Sequence, residues 1–217
     1  MLLFTGYITT IKDISFNTYP IKYFRAKQLI LSPGEGSGNL YILESGFVKV
    51  YRITGTGLEI VFTILKSEAF IPLLVALGDT KNDFYFEALT DCRVRVVEFE
   101  QFNKMVRANR QMHDFLKEKM IKGYGNLVER LEMLNTCDAL TRVATAIVYL
   151  NSLFGQEVDG RISFPVKFSH ELISGLAFTT RETASRKIEE LNTKKIITTG
   201  YNNMQILNLE ALKRIAN

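Results

Sequence analysis

The chemically richest stretch of the 217-residue chain is TTRETASRK, residues 179–187. At 3.6 residues per turn, Ala184 falls with Ile188 and Leu191 on one side of a helix, while Arg181, Glu182, Ser185 and Arg186 share another, about a third of a turn away. Those four side chains suit the edges of nucleobases. An arginine donates two parallel hydrogen bonds to guanine O6 and N7, a glutamate accepts from cytosine N4, and a serine reaches either base or phosphate. Lys187, Lys194 and Lys195 are placed to meet phosphates. The competing reading is a solvated face with an internal Glu182–Arg186 pair at i, i+4. The surrounding elements decide between the two.

Ser169 is an N-cap candidate before HELISGLA, and Thr179 or Thr180 caps the next helix. Thr179 with Glu182 has the spacing of a capping box. The gap of about three residues is that of a helix-turn-helix, whose second helix enters the major groove by its first turns. Upstream, ALTRVATAIVYLNSLFG reads as a helix, QEVDGRI as a polar connection, and ISFPVK, residues 162–167, as a short strand pair. Downstream, IITTGYNNMQILNL reads as two strands around an Asn202–Asn203 turn. Residues 138–217 are therefore expected to form a winged helix.

Residues 1–108 have a different texture. From about Tyr23 to Phe99, short β-rich runs are punctuated by PGEGSGN and TGTG, with Val48, Val50 and Ile53 alternating loosely with Lys49, Tyr51 and Arg52. This predicts a jelly-roll-like β-roll whose last strand is DCRVRVVEF. After Glu100 the period changes to about 3.6. Met120, Tyr124, Leu127, Leu131 and Leu134 recur at spacings of three and four, which predicts a helix over 109–135, about 40 Å long, in a dimerisation segment 109–137 with a seam for a second copy of itself. The plainer alternative is that this stripe packs on its own chain. Gly123 and Gly125 interrupt the helix and mark a kink or a close crossing.

Whole-chain totals exclude several classes. The net charge is +4, distributed as −1 over residues 1–100, +2 over 101–138 and +3 over 139–217, a tilt that favours a polyanion at the C-terminal end. No apolar run approaches the roughly 18–20 residues of a membrane span, so no membrane association is expected. The opening MLLFTGYITTIKDISF lacks a basic n-region and reads as a folded or fraying terminus, not a signal peptide. The two cysteines, Cys92 and Cys137, lack metal-ligand spacing and suit a reducing interior. The two histidines, His113 and His170, both fall on helices, and no nucleophile–base pair, phosphate loop or paired-carboxylate motif stands out. No catalytic residue, metal or cofactor is expected, and the chain does not read as an enzyme.

The order β-roll, long helix, helix-turn-helix and wing resembles the Crp/Fnr superfamily of transcription regulators over nearly the whole chain. NLYILESGFVKVY resembles its roll signature, with Gly46 as the glycine, and TTRETASRKIEELNTKKII resembles its recognition helix. There Arg181, Glu182 and Arg186 match the family's base-reading positions, and Glu182, Ser185 and Arg186 match its ETxSR pattern. TKNDFYFEALT and DGRISFPVKFSHELIS look closest to the nitrogen-regulator (NtcA) branch of cyanobacteria and red-algal plastids.

The resemblance implies a homodimer on double-stranded DNA with a two-fold operator, and RNA polymerase as the responding partner, in a bacterial cytoplasm at the nucleoid or in a plastid stroma. The alternative is a ligand-sensing or interaction module of cyclic-nucleotide type that never touches DNA. Where cyclic-nucleotide members hold the phosphate, this chain has FIPLL and Asn82–Asp83, so cyclic AMP is not expected. Where the nitrogen-regulator branch holds 2-oxoglutarate with two arginines, it has Phe84 and Gly123, which leaves an unknown effector or none. Phe178 stands where the family has glycine in the turn.

Overall fold

The computed structural model describes residues 16–35, 38–78, 80–158, 160–199 and 204–216. In chain order the elements begin with β1 (Ile21–Phe24), β2 (Leu29–Leu31), β3 (Asn39–Ser45), β4 (Val48–Ile53), β5 (Glu59–Leu65), β6 (Phe70–Ile71) and α1 (Leu73–Gly78). Then come β7 (Tyr85–Ala88), β8 (Cys92–Glu98), α2 (Phe99–Ala108), α3 (Arg110–Thr136) and α4 (Ala139–Phe154). The chain continues with β9 (Gln156–Val158), β10 (Arg161–Ser163), α5 (His170–Leu176), α6 (Arg181–Thr193), β11 (Ile197–Thr199), β12 (Met204–Ile206) and α7 (Leu209–Ala216). Its described residues divide into two compact units: one contains 53–61 with the residues from 129 onward, the other 16–52 with 62–128.

The β-roll consists of two four-stranded sheets, ordered β1-β8-β3-β6 and β2-β7-β4-β5. One core takes Tyr41 and Leu43 from β3, Val48 and Val50 from β4, Phe86 and Ala88 from β7, and Val94 from β8. The other face of β3 is also buried. Leu40 and Ile42 join Val97, Phe102 of α2, and Met112 and Leu116 of α3 in a second core. Period-2 alternation therefore sends β3 into two cores at once. The expected last strand is present as β8.

Gly46, between β3 and β4, has φ +94°, and a Cβ there would lie 2.7 Å from Cys92 Sγ and 2.9 Å from its Cα, besides striking the Asp91 carbonyl. Only glycine fits such a position.

The side chain of Asn109 separates α2 from α3 by accepting the Met112 N–H at 3.1 Å. Beyond Leu116 the helix surfaces: Met120, Tyr124, Leu127 and Leu131 are 42 to 71% exposed, and Leu134 is half-buried. Own-chain packing thus leaves the Met120, Tyr124, Leu127 and Leu131 part of the stripe open. α3 runs unbroken through Gly123 and Gly125, and nothing lies within 4 Å of a Cβ built on either.

In the C-terminal part a sheet ordered β11-β12-β10-β9 sits beside α4 to α7 in sequence. QEVDGRI is not a plain connection: Gln156–Val158 pairs with Arg161–Ser163, with Gly160 at φ +72° between them. Of ISFPVK only Ile162 and Ser163 are extended in a ladder, pairing with Ile206 and Gln205. β9 is short and exposed throughout, so no apolar alternation announces it. The expected Asn202–Asn203 turn lies outside the described residues, although the strands on either side pair as expected.

Candidate nucleic-acid interface

Two hydroxyls set the starts of the helix pair. Ser169 Oγ accepts the Leu172 N–H at 3.1 Å and opens α5, and Thr180 Oγ1 accepts the Thr183 N–H at 3.2 Å and opens α6. Thr179 is not the cap. It lies in the turn, its N–H donating to the Ser174 carbonyl at 3.1 Å, and with Thr180 as the N-cap the expected Thr179–Glu182 box does not form. Glu182, in the first turn, has its carboxyl held below the usual carboxylate range by its own backbone N–H and then by the Thr180 hydroxyl.

The faces of α6 separate as expected. Ala184, Ile188 and Leu191 are 0 to 1% exposed, whereas Arg181, Glu182 and Arg186 are open to solvent and Ser185 is half-buried. Arg186 Nη2 donates to Thr183 Oγ1 at 3.2 Å, one turn back along its own helix. Lys187 and Lys194 are both engaged with Glu190, at 2.9 and 2.8 Å, and the two ammonium groups, Lys194 first, lower that carboxyl's pKa. Exposed pairs of this kind are worth little and yield readily to a phosphate. Lys195 is exposed and left-handed, with φ +53°, just past the helix.

Phe178 keeps the left-handed conformation of the turn, φ +50°, without the glycine that makes it cheap. Its ring lies under the Arg130 guanidinium, 4.6 Å from it. Arg130 Nη2 also donates to the carbonyls of Leu176 at 3.1 Å and Val61 at 3.0 Å. Burial pulls the pKa of Arg130 down, while the Tyr149 phenol opposes the shift. Arg142 takes the next carbonyl, donating from Nε to Ala177 at 3.1 Å and from Nη1 to Cys137 at 2.9 Å. The end of α5, whose last carbonyls have no intrahelical donors, is thus closed by two arginines from outside the motif. Neither stood out in the sequence, because both act across 35 residues or more of chain.

One further contact was not legible. His170, read from sequence as an ordinary helix residue, places Nδ1 2.7 Å from Ser185 Oγ.

In the roll, the position matching the family's phosphate-binding pair is filled structurally. Asn82 is 3% exposed, donates from Nδ2 to the Ser32 and Phe84 carbonyls at 2.8 Å each, and accepts the Phe84 N–H at 3.1 Å. Phe84 meets the Phe62 ring edge-on at 5.2 Å, with the Arg52 guanidinium 5.7 Å above it. The side of β4 that carries Lys49 and Tyr51 is covered. Lys49 sits 4.1 Å over the Tyr51 ring and 3.5 Å from Glu87, and Tyr51 stacks on Tyr85. Among the described residues, no three histidine, cysteine or carboxylate side chains cluster to hold a metal, and no helix is long and apolar enough to cross a membrane.

Residues 21–109 match the cyclic nucleotide-binding domain model and residues 141–215 the Crp-like helix-turn-helix domain model. The chain is 25% identical over 183 residues to the global nitrogen regulator of Nostoc sp., covering 82% of this chain and 80% of that one. It is 24% identical over 217 residues to the global nitrogen regulator of Synechococcus elongatus, 95% of each chain. The crystal structure of TTHA1359, a CRP/FNR-family transcriptional regulator from Thermus thermophilus, superposes with a TM-score of 0.78 at 23% identity, covering 91% of this chain and 98% of that one. The Crp-like helix-turn-helix match, with transcription regulators as relatives over nearly the whole chain, identifies the class: a DNA-binding transcription regulator. The chain belongs to the Crp/Fnr family.

Proposed function

We propose that the protein binds a two-fold symmetric operator as a homodimer, each subunit reading one half-site with Arg181, Glu182, Ser185 and Arg186. The observation that carries this is the division of α6. Its apolar side is fully buried, and an arginine–glutamate–serine–arginine set occupies the outer side of its first two turns. Ser169, Thr179 and Thr180 flank the groove-facing end, and Lys187, Lys194 and Lys195 meet phosphates. The exposed stripe of Met120, Tyr124, Leu127 and Leu131, continued by Leu134, is the dimer seam, burying apolar surface that a lone chain leaves in water. On this reading 1–108 is the effector-type domain, 109–137 the dimerisation helix and 138–217 the DNA-binding domain.

RNA polymerase is the responding partner, and the compartment is a bacterial nucleoid or, by likeness to the nitrogen regulators, a plastid stroma. Cyclic AMP does not fit the site, since Asn82 spends its polar atoms on the backbone and brings no positive charge.

The test is selection of bound fragments from random duplex DNA, with and without 2-oxoglutarate, followed by two variants. Arg186→Ala is expected to cost about 1–3 kcal/mol and relax preference at one base pair. Lys194→Ala is expected to weaken all sequences alike and flatten the salt dependence. Equal loss on every sequence for Arg186→Ala contradicts the base-reading role.

A further inference from the structure

Hydroxyls on the helices of this protein mostly turn back to their own backbone. Thr136 donates to Glu132 O, Thr145 to Thr141 O, Thr193 to Glu189 O, and Ser174 to Glu171 O, at 2.9 to 3.0 Å. Ser185 does not. Its Oγ lies 2.7 Å from Nδ1 of His170, the first residue of α5, and both residues are half-buried where the two helices pack. Among the described residues this imidazole is the hydroxyl's one side-chain partner.

A serine hydroxyl has one proton and two lone pairs. A free hydroxyl rotates, so it can donate to guanine or thymine acceptors or accept from the amino groups of adenine or cytosine, and it distinguishes little. An imidazole nitrogen at 2.7 Å removes that choice. If Nδ1 is an acceptor, the serine proton is spent on it and only lone pairs face the groove. If Nδ1 carries the proton, the serine keeps its own to donate.

We propose that His170 is a specificity-determining positioning residue, which fixes the hydroxyl of Ser185 in one hydrogen-bonding role and so sets which base it accepts. The proposal rests on α6 entering a DNA groove and adds a residue of α5 to the reading set without requiring it to touch a base.

The experiment compares the full-length protein with His170→Ala, Ser185→Ala and the double variant, on operators with each base pair varied in turn. Melting curves confirm folding. His170→Ala is expected to lower preference at one base pair by about five- to tenfold, the worth of one neutral hydrogen bond. It should leave the dependence on salt unchanged. Ser185→Ala should lose preference at the same pair, and the double variant should be no worse than Ser185→Ala alone. His170→Gln, which retains a donor and an acceptor, should change which bases win there without weakening every sequence.

The proposal is overturned if His170→Ala weakens all operators alike, as loss of a phosphate contact would, if its profile matches wild type, or if the two substitutions add. A wild-type protein with no sequence preference would instead remove the base-reading interpretation itself. Loss of preference with Arg186→Ala but not with His170→Ala would remove only the role of His170.

Discussion

Replacing Arg130 with alanine tests whether the turn of the helix-turn-helix is held from outside. The substitution strips donors from the Leu176 and Val61 carbonyls, now met at 3.1 and 3.0 Å, both in residues no more than 3% exposed. A buried acceptor left without a partner costs about 1–3 kcal/mol, and loss of the guanidinium from the Phe178 face costs about 0.5–2 kcal/mol more. Against this stands the solvation that a largely buried guanidinium forfeits on folding. The net expectation is a loss of about 2–4 kcal/mol, a large share of the roughly 5–15 kcal/mol that holds a domain together. Urea unfolding followed by far-ultraviolet circular dichroism measures it. Arg130→Met, which keeps the apolar stem, should lose nearly as much. A change for Arg130→Ala below about 0.5 kcal/mol would refute the argument, since surface substitutions commonly fall in that range.

Phe178 sharpens the test. Glycine relieves the left-handed strain but forfeits the stack, whereas alanine forfeits the stack and keeps the strain, so Phe178→Ala should be less stable than Phe178→Gly by about 1 kcal/mol. The opposite order in melting temperature would show that φ +50° is not strained in this turn. Gly46→Ala should destabilise the roll by more than about 2 kcal/mol through the left-handed backbone and the clash with Cys92, read by denaturant midpoint.

Asp138, the N-cap of α4, accepts the Thr141 N–H at 2.8 Å, and that bond lowers its pKa. Its contribution is present above the ordinary aspartate range and fades as pH falls through the depressed folded value. Asp138→Ala should therefore cost about 1 kcal/mol near neutrality and little in acid, compared by unfolding at both pH values. Leu127→Glu with Leu131→Glu should give a folded monomer in sedimentation experiments with weakened operator binding; an undisturbed dimer would move the seam elsewhere.

Features legible in the chain were those whose causes are local. The buried and exposed sides of α6 follow from a 3.6-residue period acting on thirteen consecutive residues, and the Ser169 cap from a hydroxyl three residues before the N–H it accepts. The choice between Thr179 and Thr180 was not local. Both have the right hydroxyl, and where the turn ends decided it: the Thr179 N–H still bonds back to the Ser174 carbonyl, and the Thr180 hydroxyl is the one that meets the Thr183 N–H. The short strand β9 escaped notice for the same reason, and β10 was expected only from Ile162 onward, since their ladder is made of backbone groups every sequence carries.

Sequence by itself determined the succession of β-roll, long helix, helix-turn-helix and hairpin, the stripe on α3 and the identity of the side chains α6 offers, because periodicity and capping act over one or two turns. Tertiary structure alone decided that Arg130 and Arg142 close the turn, that Phe178 serves as a platform where glycine would be expected, and that His170 meets Ser185. Those contacts join residues 15 to 69 positions apart, and a hydrogen bond or a stacked ring depends on angstrom-scale placement, which only the packed fold supplies.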